Sequence, residues 1–268
     1  DKYPLLKKII LRGSVSLFES MKIGFSTLQW SADKAIEDEE GETSEENPVW
    51  TFLTTAFAFL LAIGLFLVLP LFLTTKVFNF ENDALLFNLV AGLHRIVFFL
   101  IYLWLISLMK DVRRLFEYHG AEHKVVYTFE AGQDLTVENA RKYTTQHPRC
   151  GTSFIFIVLL ISILLFSLID TLVILAFGSI GLVTRIVYHL VSVPLVAGVS
   201  YELLKLSSRY SNNFITRILI KPGLWLQKIT TKPPSDEQLE TAIVALKTAF
   251  GDDYKKYKGQ QYEAEALD

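Results

Sequence analysis

Charge is missing from two long stretches of this chain. No charged residue occurs from Asn47 through Thr75, nor from Gly151 through Ile169. A bilayer core is crossed by about 20 apolar residues in a helix, and a soluble core helix rarely stays apolar on every side for that long. A soluble globular enzyme is therefore excluded. Cysteine is nearly absent: Cys150 alone cannot form an intrachain disulfide and makes no claim on an oxidising compartment. There is no excess of basic charge, the formal balance being −2, which argues against direct binding of nucleic acid. The N-terminal region also lacks a compact apolar run ending in a small-residue cleavage site, so no cleavable signal peptide is expected. What is abundant is hydrophobic side chains, 51% of 268 residues against 20% charged.

These runs predict an all-α integral membrane protein with four transmembrane helices. The first is expected over Trp50 to Phe72, with Pro70 near its far end, and the second over Ala84 to Met109, interrupted by His94 and Arg95. The third is expected over Thr152 to Phe177, with Asp170 near its end. The fourth runs from Leu182 to Leu206 and contains Arg185, His189, Pro194 and Glu202. Only Gly178 to Gly181 separates the last two, which makes them an antiparallel hairpin. Basic residues mark the sides: Lys2, Lys7, Lys8, Arg12, Lys22 and Lys34 precede the first span, and Lys110, Arg113, Arg114, Lys124, Arg141, Lys142 and Arg149 fill the central loop. Because Lys and Arg collect in cytoplasmic loops, both termini and the central loop are expected in the cytoplasm.

The flanks divide into segments. Residues 1–36 mix apolar and basic side chains, as an amphipathic helix lying in the cytoplasmic interface would; packing on the protein's own cytoplasmic part is the alternative. Residues 37–48 form an acidic tether. Spans one and two occupy 49–110, the cytoplasmic loop 111–151, and spans three and four 152–206. Residues 207–232 are again interfacial, with Trp225 at headgroup level and a break expected at Pro222-Gly223. Residues 233–268 hold a soluble helix and a polar, frayed tail. Ser235 with Gln238 makes a capping box; Leu239, Ile243, Leu246 and Phe250 form one stripe, and Gly251 ends it.

The chemistry-bearing residues gather in the central loop. His119, Glu122 and His123 are spaced i, i+3, i+4, which puts them on one face of a helix continuing from the second span. Two imidazoles one turn apart can share a metal ion, and the carboxylate beside them can ligate or act as a base. After a short helix starting near Thr136, His147 and Cys150 stand two residues apart across a Pro-containing turn, a normal spacing for ligands to one Zn²⁺. Ordinary surface histidines and a small buried thiol are the bland alternative. Within the bilayer, His94, Arg95, Asp170 and His189 fall at similar depths and are expected to share a polar layer, with Arg95–Asp170 as the expected pair; snorkelling of Arg95 and Arg185 is the alternative. Glu202, near the cytoplasmic end of the fourth span, is placed to face the His/Cys cluster.

Four stretches carry a family resemblance: YHGAEHK at 118–124, HPRCGTSF at 147–154, PLVAGVSYELLKL at 194–206 and PGLWLQKITTKPPSDEQLE at 222–240. Together with LLKKIILRGSVSLFES near the start, they resemble the YqhQ-like bacterial polytopic membrane family. The resemblance implies a cytoplasmic-membrane protein with His119, Glu122, His123, His147 and Cys150 as motif residues, and a further glycine-rich segment ahead of residue 1. Two functions follow. In one, His119, His123 and His147 hold Zn²⁺ with Cys150 as fourth ligand or close neighbour, and Glu122 is the general base of a hydrolase. In the other, the same cluster is a structural staple in an accessory protein that docks on a larger membrane complex such as the protein translocon. A transporter is the weakest fit, since no internal repeat or pair of broken helices is visible.

Overall fold

The computed structural model describes residues 11–40, 48–78, 83–148, 150–209 and 214–262. Every regular element among them is helical. Expectations for residues 1–10, 41–47 and 263–268 lie outside the described residues. Four helices are long and apolar enough to cross a membrane: Val49–Phe78, Ala84–Ile106, Phe154–Phe177 and Leu182–Leu203. Their outward side chains, among them Leu60, Leu93, Leu164 and Val191, are exposed apolar groups. Apolar surface on that scale belongs against lipid.

The chain divides into two units. Residues 1–98 and 159–202 form the first; residues 99–158 and 203–268 form the second. In the first unit, helix α1 (Leu11–Glu40) extends through the beginning of the expected tether. Its N-terminal turns are fastened to the last span: Arg12 clasps Glu202 through Nε and Nη2 at 2.6 and 2.5 Å, and the Ser14 hydroxyl donates to the Pro194 carbonyl at 2.6 Å. Glu202 therefore serves as Arg12's counter-ion. Beyond this anchor Phe18, Met21, Phe25, Leu28 and Trp30 are exposed.

The first span is longer than its apolar run suggests. It comprises α2 (Pro48–Ile63), a π turn (Gly64–Val68) and α3 (Leu69–Phe78). Pro70 supplies the reason, since it lacks an N–H and its ring crowds the carbonyl four residues back. The wider π turn lets the helix pass that point without ending. Span two is α4 (Ala84–Ile106), and Gly92 marks its close approach to span three: a Cβ there would stand 2.3 Å from Ile163 Cγ1.

In the second unit, helix α5 (Lys110–Glu130) is separate from α4. The chain leaves helical geometry at Met109, whose φ of −72° and ψ of 136° are extended. The expected continuous helix is thus broken, but the i, i+3, i+4 face survives inside α5. Short α6 (Val137–Arg141) starts at Thr136, whose hydroxyl accepts from the Asn139 N–H. The third and fourth spans belong to α7 (Gly151–Phe177) and α8 (Leu182–Arg209). Helix α9 (Phe214–Thr230) runs through Pro222-Gly223 where a break was expected, with Gly223 buried and Leu226 and Gln227 packed inside. Tertiary burial here outweighs a local breaker costing about 3 kcal/mol for the proline.

Helix α10 (Asp236–Phe250) has the expected capping box, both hydrogen bonds of which form, and ends at Gly251 with φ of 53°. Its Leu239 and Ile243 join Ala121, Val125, Leu135 and Ala140 in one core. Its valine, leucine and isoleucine side chains each contribute about 1.5–3 kcal/mol on burial. The tail is not frayed through Tyr262. After α11 (Tyr254–Tyr257), Lys258 pairs with Asp134 at 2.9 Å, the Tyr262 N–H donates to the Glu130 carbonyl, and the Tyr262 ring stacks on Phe129. Its composition is polar, but its tyrosines carry enough apolar area to fold back.

Candidate metal centre

Helix α5 presents His119 and His123 one turn apart, as its 3.6-residue period requires. Their rings meet edge to face with centroids 4.4 Å apart. The turn before α7 brings Cys150 to them. One ligand atom from each of His119, His123 and Cys150 lies within 4.8 Å of the other two, and His119 Nε2 is 3.2 Å from Cys150 Sγ. A zinc ion with nitrogen at about 2.0 Å and sulfur at about 2.3 Å holds such atoms roughly 3–4 Å apart. Closing the group on an ion therefore takes a small inward movement.

The outward-facing nitrogens are fixed by backbone. His119 Nδ1 donates to the Thr230 carbonyl at 2.9 Å, and His123 Nδ1 donates to the Thr145 carbonyl at 2.5 Å. Each bond fixes the ring so that Nε2 faces inward, donating to the Cys150 thiolate while protonated and offering a lone pair once that proton is lost, which is how ligating imidazoles are commonly oriented. Gly120 permits the arrangement. A Cβ at that position would lie 2.2 Å from the Lys232 carbonyl oxygen, so only glycine lets α5 approach the segment carrying Thr230.

Two further side chains hold the turn. Fully buried Gln227 bridges both backbone groups of His147, accepting from its N–H at 2.7 Å and donating to its carbonyl at 2.9 Å. Lys124 donates to the Arg141 and Tyr143 carbonyls, and burial lowers its pKa. Burial by itself would raise the Cys150 thiol; hydrogen bonds from His119, His123 and Thr152 outweigh it and bring the pKa down to about 5. For His119, burial pulls the pKa down, yet the hydrogen bond and charge of Cys150 turn the balance upward.

His147 stands beside the triad rather than among its closely spaced ligand atoms. Its ring centroid is 5.6 Å from that of His123, and its Nε2 lies 3.3 Å from Glu130 Oε2. Glu122 is exposed on α5, and its charge helps to raise the His119 pKa. Sequence reading missed Glu130, Thr145, Gln227 and Thr230. Glu130 had a readable signal, since it falls seven residues after His123 on the same helix face. The two carbonyls had none, because any residue type supplies one.

The membrane-spanning residues of the first unit form a separate cluster around Asp170, which is fully buried. Its Oδ2 accepts from Asn88 Nδ2 at 2.7 Å and lies 3.0 Å from Arg185 Nε; its Oδ1 is 2.8 Å from His189 Nε2 and accepts from the Tyr188 hydroxyl. The expected Arg95–Asp170 pair is thus replaced by Arg185–Asp170. Neither arginine snorkels, as both are buried. His94 lies apart, its Nδ1 3.4 Å from the Thr74 hydroxyl.

Residues 9–252 match a family described as "Protein of unknown function (DUF1385)". The chain belongs to the DUF1385 family. It is also 31% identical over 256 residues to "Uncharacterized protein YqhQ" of Bacillus subtilis (strain 168), covering 90% of this chain and 77% of that protein. The YqhQ-like resemblance of the four motifs is therefore borne out. No solved structure matches the chain.

Proposed function

We propose that this DUF1385 protein is a membrane-bound, zinc-dependent hydrolase whose centre uses His119, His123 and Cys150. The observation that carries the reading is the convergence of three ligand atoms within 4.8 Å, with both imidazoles oriented by backbone acceptors. Two nitrogens and a thiolate are a donor set that suits zinc. Three protein ligands and an open position are the pattern of catalytic zinc, whereas structural sites use four. Bound there, zinc would supply Lewis acidity, polarising a substrate oxygen and bringing the ionisation of water towards neutral pH. Glu122, exposed on the same helix, accepts the proton released from the attacking water. His147, held by Glu130 and Gln227, borders the site and keeps the turn that carries Cys150 in place.

The basic residues of the central loop support a cytoplasmic location for this centre, with both termini on the same side of the inner membrane. Substrates would then be molecules presented at that surface: a peptide, a lipid headgroup or an isoprenoid derivative. The test compares zinc-loaded wild type with Glu122→Gln on a panel of amide, ester and phosphoester substrates in mild detergent. The account expects hydrolysis by the wild type and at least a hundredfold loss in a variant that keeps its zinc. Wild-type inactivity, or equal activity of the two, would contradict catalysis.

The second reading is a non-catalytic accessory protein. It draws support from the burial of His123, only 4% exposed, and from the clasp of Gln227 on His147, features that suit an ion stapling a loop between helices. The exposed apolar residues of α1 would then meet a larger membrane assembly such as a translocation machine. Loss of fold together with metal in His123→Ala would favour this reading.

A further inference from the structure

Helix α9 presents two opposed faces. Gly223, Leu226, Gln227 and Thr230 are buried, and at about 100° per residue they fall on one side of the helix. Lys221, Trp225 and Lys228, spaced i, i+4, i+7, fall on the opposite side and are exposed. The Trp225 ring is 64% exposed, and neither lysine has an acidic partner among the described residues. The inner face is already taken by protein: Gln227 clasps both backbone groups of His147, and the Thr230 carbonyl holds His119 Nδ1.

Charge on this part of the chain is one-sided. From Leu203 through Ser235 the sequence has six basic residues and no acidic one. The helix is also held where the chain enters the bilayer. Gln227 grips His147, seven residues before the third span begins at Phe154, and α9 starts eleven residues after the fourth span ends at Leu203. The core of a protein interface is apolar and poor in charge, whereas the outer face of α9 offers one indole between two ammonium groups. An indole at headgroup depth, flanked by lysines, is the pattern of a helix lying on an anionic bilayer.

We propose that the outer face of α9 binds anionic phospholipid, Lys221 and Lys228 reaching the charged headgroup while Trp225 enters the headgroup layer. The same helix carries Gln227 and the Thr230 carbonyl on its inner side. Lipid binding therefore steadies the turn at His147 and the ring of His119. Any consequence for zinc rests on the proposed metal centre, whereas the lipid contact itself does not.

The test uses the whole chain, freed of zinc, in nanodiscs of phosphatidylcholine or of equal amounts of phosphatidylcholine and phosphatidylglycerol. Hydrogen exchange, followed by mass spectrometry, should be slower in α9 and at His147 when phosphatidylglycerol is present. Each lysine near an anionic surface contributes roughly a fivefold preference, so the slowing should be several-fold. Protein taken from the mixed discs into mild detergent should retain phosphatidylglycerol in preference to phosphatidylcholine. Lys221→Gln combined with Lys228→Gln should lose both effects, and Lys221→Arg with Lys228→Arg should keep them. A chain that shows both effects but never binds zinc would sink the metal centre and uphold the lipid surface. Equal exchange with unbiased retention in the wild type, or both effects undiminished in the glutamine variant, would overturn the proposal. Protection of α9 in pure phosphatidylcholine, accompanied by a dimer, would assign the face to a second copy and overturn it as well.

Discussion

Cys150 illustrates how the two histidines change the chemistry of one side chain. An isolated thiol buried at a helix start would be protonated and inert at neutral pH. Beside His119 and His123 it ionises near pH 5, so metal-free protein should react with iodoacetamide at a rate rising with a midpoint near that pH, where an ordinary thiol has its midpoint near 9.0. The sign of the stability effect follows from the same depression. The thiolate contributes stability in full above the ordinary value of 9.0, and this is lost as pH falls through about 5. An alkylation midpoint above pH 8 would mean that the imidazoles do not engage the sulfur. Glu122, by contrast, is exposed, so its substitution should test chemistry with little effect on packing.

Helix α5 and the segment that follows α9 are held together by close approach more than by side-chain mass. Gly120→Ala drives a methyl group into the Lys232 carbonyl and should cost about 1–3 kcal/mol while displacing the Thr230 carbonyl from His119. Gly24→Ala in α1, where a Cβ meets nothing within 4 Å, should be neutral or stabilising by up to about 1 kcal/mol. Denaturant titration of both variants checks the contrast, and equal stability would refute the packing argument. The same elements mark the limit of what the sequence makes legible. Spans, helix caps and the His119–His123 spacing are read from periodicity and residue type. The partner of Asp170 was not: depth along a helix comes from a rise per residue, but neighbours turn by about 100° around the axis, and only packing decides which of two buried arginines reaches the carboxylate. The break at Met109, the passage of α9 through Pro222-Gly223 and the clasp of Gln227 are likewise tertiary outcomes of local signals that pointed elsewhere or nowhere.

At the scale of the whole molecule, four helices are long and apolar enough to cross a membrane, and the distribution of Lys and Arg carries the proposal that the candidate metal centre faces the cytoplasm. A fluorescent-protein fusion after Asp268 should fluoresce, and an alkaline phosphatase inserted at Gly178–Gly181 should be active; the reverse pattern would put the centre on the far side. The central claim is the metal itself. Protein purified without chelators and measured by plasma mass spectrometry should carry one zinc per chain, falling below a tenth of that in His123→Ala and in Cys150→Ser. Zinc absent from the folded wild type, or retained in full by both variants, would contradict the account.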